Sequence, residues 1–423
     1  MLEVEIARVK QWKGHKISGR VTQLIGLLIE SSGPATSVGE ICIIHGKRGE
    51  RLPCQVVGFK EHRVLLMPLG DVGSIAPGSE VFPTNEVHRV PVGFELRGRV
   101  LDGLAHPIDG KPSIVPERFY PVSASPPAPL ERRPIKEKLP TKIKAIDSLL
   151  TIGRGQRIGI LSAPGVGKSS LMGAIARESE SDINVIALIG ERGREVRDFI
   201  ENDLGPEGLS RSVVIVATSD QPALLRRKGA YVAMAIAEYF RDQGKDVLLM
   251  MDSISRYAMA LREIGLAIGE PPTNRGYTPS VFAELPKLLE RAGTNQKGSI
   301  TGIYTILDEG EEWGDPIPEQ MRSLLDGHIH LSRQLAEASH FPPIDILKSL
   351  SRLMPHLVSP EQMKNAHKLR KLLHSYREAE ELIQIGAYVS GSDPKIDEAI
   401  AKRERILSFL QEPGSPRKLE EVV

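Results

Sequence analysis

The chemistry of this 423-residue chain gathers at Lys168. Ser162-Ala163-Pro164-Gly165-Val166-Gly167 precedes it, and two hydroxyls, Ser169 and Ser170, follow. The apolar run Ile158–Leu161 leads in, and the apolar-periodic stretch Leu171–Ala176 leads out. This order predicts a strand, a small-residue turn and a helix, the arrangement of a phosphate-cradling P-loop. Bare backbone N–H groups and the positive end of the helix dipole would hold phosphate oxygens. Lys168 would carry a point charge to the β- and γ-phosphates, and Ser169 would offer a hydroxyl to Mg²⁺. The pattern departs at Ser162, where the general motif has glycine. Pro164 biases Ala163 toward extended backbone, whereas Gly165 and Gly167 let the backbone approach a phosphate closely.

Such a loop needs an acidic partner for Mg²⁺ at the end of a neighbouring buried strand. Asp252, after the apolar run Val247–Met251, has that position; it would also serve as a cap for the helical stretch Ile254–Leu266. Hydrolysis needs a group that orients and deprotonates water. Glu191 follows a second buried run, Ile183–Ile189, at the end of a strand expected beside the P-loop strand. It is the candidate base, and Arg192 would pair with it or with phosphate. Spacing alone does not separate this from a solvated charge cluster. Arg322, Arg333 and Arg352 are candidates for charge reaching in from a neighbouring copy, and spacing does not choose among them. His328 and His330 share a strand face with nothing to complete a metal set, which suits a structural role.

The elements that must position these groups predict an α/β protein of three parts. Residues 1–85, with short apolar runs such as Val56–Phe59 and Val64–Met67 broken by turns, predict an N-terminal β-barrel. Residues 86–345 predict the nucleotide-binding domain, with 86–140 an extended connector rich in proline toward its end. From about 141, buried apolar runs, including Val213–Ala217 and Ile300–Leu307, alternate with helical stretches such as Ala223–Phe240. That alternation signals a mainly parallel sheet. Beyond about 343 no strand pattern remains, and residues 346–423 predict a helical domain, with helices over 359–386 and 394–410. A net charge of +1 and 4% aromatic residues give no footprint for nucleic acid. Cys42 and Cys54 form no CxxC pair and suit a reducing compartment. A charged N-terminus and the lack of a transmembrane-length run predict a cytoplasmic protein.

Much more of the chain is distinctive. Gly190-Glu191-Arg192-Gly193-Arg194-Glu195-Val196, Ala217-Thr218-Ser219-Asp220-Gln221-Pro222, Ile264–Pro272, Pro279–Pro286 and Leu325-Asp326-Gly327-His328-Ile329 resemble the catalytic subunits of rotary-type ATPases. Among these, the chain is most similar to the flagellar and type III secretion export ATPases. The resemblance implies a RecA-like P-loop core and ATP hydrolysis with Mg²⁺ in a homohexamer. The ring would energise chaperone release, unfolding and export of proteins. Lys168 and Ser169 fall on the family's phosphate lysine and magnesium hydroxyl, Glu191 on its catalytic glutamate, and Asp252 on its second nucleotide motif. Arg352 falls on the arginine that crosses the subunit boundary, Phe341 on an adenine-stacking aromatic, and Tyr388 on a candidate for closing the adenine pocket. A stator or regulatory protein, a central stalk, export substrates and their chaperones are the implied partners, with peripheral contact at the inner-membrane export gate. The chain departs from the family at Ala163, at Glu311-Glu312 before Trp313, and in the short Met1–Lys13 lead. Rival readings are the catalytic subunit of a proton-translocating ATP synthase, whose acidic Asp-Glu-Leu-Ser loop is not found after 355, and a non-catalytic ring subunit, against which Glu191 argues. A termination-factor-type RNA helicase is disfavoured by the neutral, aromatic-poor composition.

Overall fold

The computed structural model describes residues 18–73, 75–308, 314–411 and 419–422. Met1–Lys13 and Glu311-Glu312-Trp313 lie outside them. The chain forms two units, one comprising the residues up to Arg89 with 222–225 and 260–280, the other the remainder.

The first unit holds a closed antiparallel barrel of β1 (Gly19–Ile25), β2 (Leu28–Ser31), β3 (Glu40–His45), β4 (Arg51–Lys60), β5 (Arg63–Pro68) and β6 (Glu80–Val87), in the order β1-β2-β5-β4-β3-β6. Alternation fills it: Cys42 and Ile44 of β3, and Cys54 and Val56 of β4, point inward. Cys42 and Cys54 face each other across the ladder as free, buried thiols, and burial pushes Cys54 well above an ordinary thiol.

The second unit begins with a ribbon of β7 (Arg89–Val92) and β9 (Arg118–Pro121). Its sheet contains β8 (Arg99–Asp102), β10 (Arg157–Ser162), β11 (Ile183–Ile189), β12 (Ser212–Ala217), β13 (Asp246–Asp252), β14 (Gly293–Thr294), β15 (Ser299–Leu307), β16 (Gly327–His330) and β17 (Leu350–Ser351). The order is β17-β16-β10-β15-β13-β11-β12-β8, parallel throughout except that β17 and β14 run antiparallel to their neighbours. Short strands lie where none was expected, β7 and β9 of the ribbon among them. β8, within the supposed connector, is four residues long and starts with an arginine, so it carries little apolar signal; Asp109 holds that arginine at 2.7 and 2.9 Å. β17, beyond 343, has two residues.

The central strands are buried on both faces and therefore read as unbroken apolar runs. On one face, Ile158, Ile160, Ile186, Leu188, Met250 and Ile303 pack in one cluster with Leu171, Met172 and Ile175. These last three belong to the helix that follows the P-loop. Helices α1 (Lys144–Leu149), α2 (Lys168–Glu178), α3 (Gly193–Asp198), α4 (Gly205–Ser210), α5 (Ala223–Asp242), α6 (Ile254–Ala267) and α7 (Pro279–Leu289) connect the strands. Between α3 and α4 the chain forms a π-helix, Phe199–Leu204. α2 meets it at Gly173, where a Cβ would overlap the Asp203 carbonyl.

The proline-rich segment is tied down by arginines. Arg291, 1% exposed, donates to both carboxylate oxygens of Glu238 at 2.6 and 2.8 Å and to the Val122 carbonyl at 2.7 Å. Arg132 and Arg133 reach the carbonyls of Ala292 and Asn295 at 2.9 Å. Helices α8 (Pro316–Leu324), α9 (Arg333–Glu337) and α10 (Met354–Leu357) precede the long pair α11 (Pro360–Gln384) and α12 (Pro394–Gln411). Ser359 caps α11, accepting from the Gln362 N–H, with Pro360 and Glu361 in its first turn. None of the helices described is long and apolar enough to cross a membrane.

Candidate active site

β10 ends at Ser162, and the next five residues turn back into α2. Gly165 and Gly167 have φ of 77° and 94°, which a side chain would strain. The loop floors a cleft of about 540 Å³ lined by Lys168, Ser169, Glu191, Asp252 and Arg256 among others. Lys168 Nζ lies 2.5 Å from Asp252 Oδ1 and 3.6 Å from Glu191 Oε1. Neither acid stands on a strand adjacent to β10. β15 separates Asp252 from it, and β15 and β13 separate Glu191, about 14 Å of sheet. Lys168, projecting from the first turn of α2, bridges the gap.

Two carboxylates share one ammonium here. Burial and the Asp252 charge push the Glu191 carboxyl up to about 7, against the pull of Lys168. Burial works to lower Lys168, but Asp252 and Glu191 outweigh it and raise the ammonium above its ordinary value. Thr305, fully buried on β15, donates to Asp252 Oδ1 at 2.7 Å. Two further donors on the cleft wall have no partner: the buried Nε of Arg256 and the Ser162 hydroxyl. Buried donors without acceptors are costly, so a cleft that holds two of them beside an ammonium is built for an anion.

The other residues singled out by sequence are distributed as follows. Ala163, Pro164 and Ser170 line the cleft, and Val166 is buried beneath it. Arg192 is at the rim with its side chain 80% exposed, and its ion-pair partner is Glu195, at 3.6 Å. Phe341 is 53% exposed, with its ring edge 3.9 Å from where a Gly167 Cβ would stand. Tyr388 is not part of the cleft lining. It sits in the turn between α11 and α12, donating to Asp397 Oδ1 at 3.0 Å and the Asp393 carbonyl at 3.1 Å. Arg352 is exposed after β17, its N–H on the Asp326 carbonyl at 3.0 Å. Asp326 also accepts from the N–H of Arg157, at the start of β10. Arg352 is therefore at the opposite end of the sheet from its own P-loop, about 17 Å along the strand. Arg322 is held by Asp308 at 2.8 Å. His328 Nε2 is 3.0 Å from the Lys348 carbonyl, a structural role as expected.

Sequence reasoning missed Arg256 and Thr305. Arg256 lies in a helix with no motif around it. Thr305 reads as a β-branched core residue within an apolar strand.

Hard oxygen donors at Asp252 and Ser169, beside phosphate-binding groups, suit Mg²⁺, which takes few protein ligands and completes its shell with water and phosphate. A left-handed glycine loop, its lysine and an acidic pair at the carboxyl ends of a parallel sheet define a P-loop nucleoside triphosphatase. The nucleotide-binding domain of the ATP synthase alpha/beta family matches residues 142–351, its beta-barrel domain matches 21–85, and the T3SS EscN ATPase C-terminal domain matches 358–423. The flagellum-specific ATP synthase of Bacillus subtilis is 53% identical, covering 98% of this chain and 95% of its own. The type 3 secretion system ATPase of Xanthomonas euvesicatoria is 50% identical, over 93% and 90%. Structures of EscN from enteropathogenic E. coli, assembled and in complex with its central stalk EscO, superpose with TM-scores of 0.88 and 0.87, both at 43% identity and covering 96% of this chain and 98% of theirs. The chain belongs to the flagellar and type III secretion ATPases and is an ATP-hydrolysing enzyme.

Proposed function

We propose that this chain works as a homohexameric ring that spends ATP on moving proteins through a flagellar or type III export apparatus. The convergence of Lys168, Asp252 and Glu191 at the mouth of one glycine loop carries the reading. The loop N–H groups and Lys168 hold the phosphates, and Ser169 and Asp252 hold Mg²⁺. That ion, when bound, would supply positive charge to neutralise what develops on the phosphates. Glu191 accepts a proton from water as its oxygen bonds to the terminal phosphorus, and the bond to the ADP oxygen breaks. Phe341 stacks on the base.

Arg352 cannot reach its own site from the far end of the sheet. In the ring it serves the next copy, stabilising charge on the transferring phosphoryl group. Arg192, exposed at the rim of the cleft, adds positive charge for the phosphates. The EscN–EscO complex supports a central stalk as a partner; a stator protein, chaperone-bound cargo and a place at the cytoplasmic face of the export gate rest on the family resemblance alone. The T3SS-type C-terminal domain favours this reading over a proton-translocating synthase.

Fractionation by size with phosphate release measured in each fraction tests the proposal. Mg²⁺-dependent turnover in the ring fraction, abolished by EDTA and absent from the monomer, is expected. Full activity in the monomer would overturn it.

A further inference from the structure

Ser162 stands where the general P-loop pattern has glycine, and the proposed mechanism assigns its side chain no phosphate of its own. Its residue is 1% exposed, and its hydroxyl has no hydrogen-bond partner. It lines the cleft with Lys168 and Asp252.

The strand register fixes which way it faces. Ser162 pairs with Leu307 and Ile160 with Thr305, so these four share one face of the sheet. Thr305 on that face reaches Asp252 Oδ1. Side chains alternate along a strand, so Ser162 is on the side of Asp252, one turn of pleat further toward the loop. Asp252 is two strand spacings away, about 10 Å, with the Lys168 ammonium at its carboxylate. The backbone of Ser162 is already committed, its carbonyl accepting from the Asp308 N–H at 3.0 Å. Only the hydroxyl is unspent.

We propose that the Ser162 hydroxyl is an additional phosphate donor, bonding an oxygen of the terminal phosphoryl group and so favouring nucleoside triphosphate over diphosphate. This rests on the reading of the cleft as an ATP site. A hydroxyl left unpaired in the nucleotide-free fold costs stability. The same hydroxyl gains an acceptor when a phosphate arrives, and a hydrogen bond to a charged group is about twice as strong as a neutral one. The two effects have opposite signs, and a hydroxyl that merely packs in the core shows only the first.

The experiment compares the wild-type full chain with Ser162→Ala. A non-hydrolysable ATP analogue and ADP are titrated, each with Mg²⁺, and thermal unfolding is followed without nucleotide. Ser162→Ala is expected to weaken the triphosphate analogue about tenfold and ADP less than twofold. Its nucleotide-free melting midpoint is expected to equal or exceed that of the wild type. Equal losses for both nucleotides, or none for either, would overturn the proposal, as would a lower nucleotide-free midpoint. Failure of the wild type itself to bind either nucleotide would instead overturn the ATP reading beneath it.

Discussion

Replacing Glu191 by Gln is the sharpest test of the catalytic assignment. The glutamate is buried against Lys168 and Asp252, and its carboxyl titrates at about 7. At pH 7 about half of the nucleotide-free sites would carry the ionised base, and at pH 6 about one in eleven. The wild-type kcat/KM should therefore climb about fivefold from pH 6 to pH 7 and about twofold more above it. Glutamine keeps the shape and removes the proton acceptor. Turnover should fall about 10²–10⁴-fold at pH 8, and the climb through pH 7 should vanish. ATP binding should persist or tighten, because a negative charge beside the phosphates has gone. Phosphate release from pH 5.5 to 8.5, with nucleotide binding measured separately, provides the readout. Turnover within threefold of wild type, or an unchanged limb, would refute the assignment. The same group sets a trend in stability. Its folded value lies above the ordinary 4.5, so the fold binds this proton more tightly than the unfolded chain. Its stabilising contribution is complete below about pH 4.5 and is lost as pH rises through about 7.

Arg352→Ala should cost about 10³–10⁵ in turnover. Mixing it with inactive Lys168→Ala copies should restore part of the rate in mixed rings, and a mixture as inactive as either parent would exclude action across the boundary. Thr305→Val should leave Asp252 less firmly held and raise the Mg²⁺ needed for half-maximal nucleotide binding about 10–100-fold, with Thr305→Ser restoring it; an unchanged requirement would remove Thr305 from the site. Glu238→Ala should strand the Arg291 guanidinium in the core and lower unfolding free energy by about 3–5 kcal/mol in urea titration. A loss below about 1 kcal/mol would mean that water reaches the pair.

Parts of this architecture were plain from the sequence because they depend on local order. The runs Ile183–Ile189 and Ile300–Leu307 are short and rich in β-branched residues, which reads as buried strand, and the glycines, Lys168 and Ser169 lie within one turn of each other. Glu191 was less plain. A carboxylate in a charged loop acquires its meaning from Lys168, which reaches it across intervening strands, and that order is written in no local pattern. It took the family resemblance to select this residue. Arg256 and Thr305 were invisible for the same reason, since one acts through a helix face and the other through its register with Asp252. β8 escaped notice because edge strands need little apolar sequence. Spacing could not choose Arg352 over Arg322; in the fold Arg322 is ion-paired with Asp308 of its own chain, whereas the exposed Arg352 donates to a neutral carbonyl, that of Arg322, at 3.1 Å.

The meeting of Gly173 with the π-helical segment has a mechanical result. Where two main chains touch directly, no flexible side chain is left to absorb a shift. Close-packed interiors transmit such displacements rather than dissipate them. A push on the α2 axle is thus handed to the segment that trails from Glu191, and tilting of that segment is handed back to Lys168. On the roles proposed for Lys168 and Glu191, this one rigid contact would gear grip on the fuel to aim of the water.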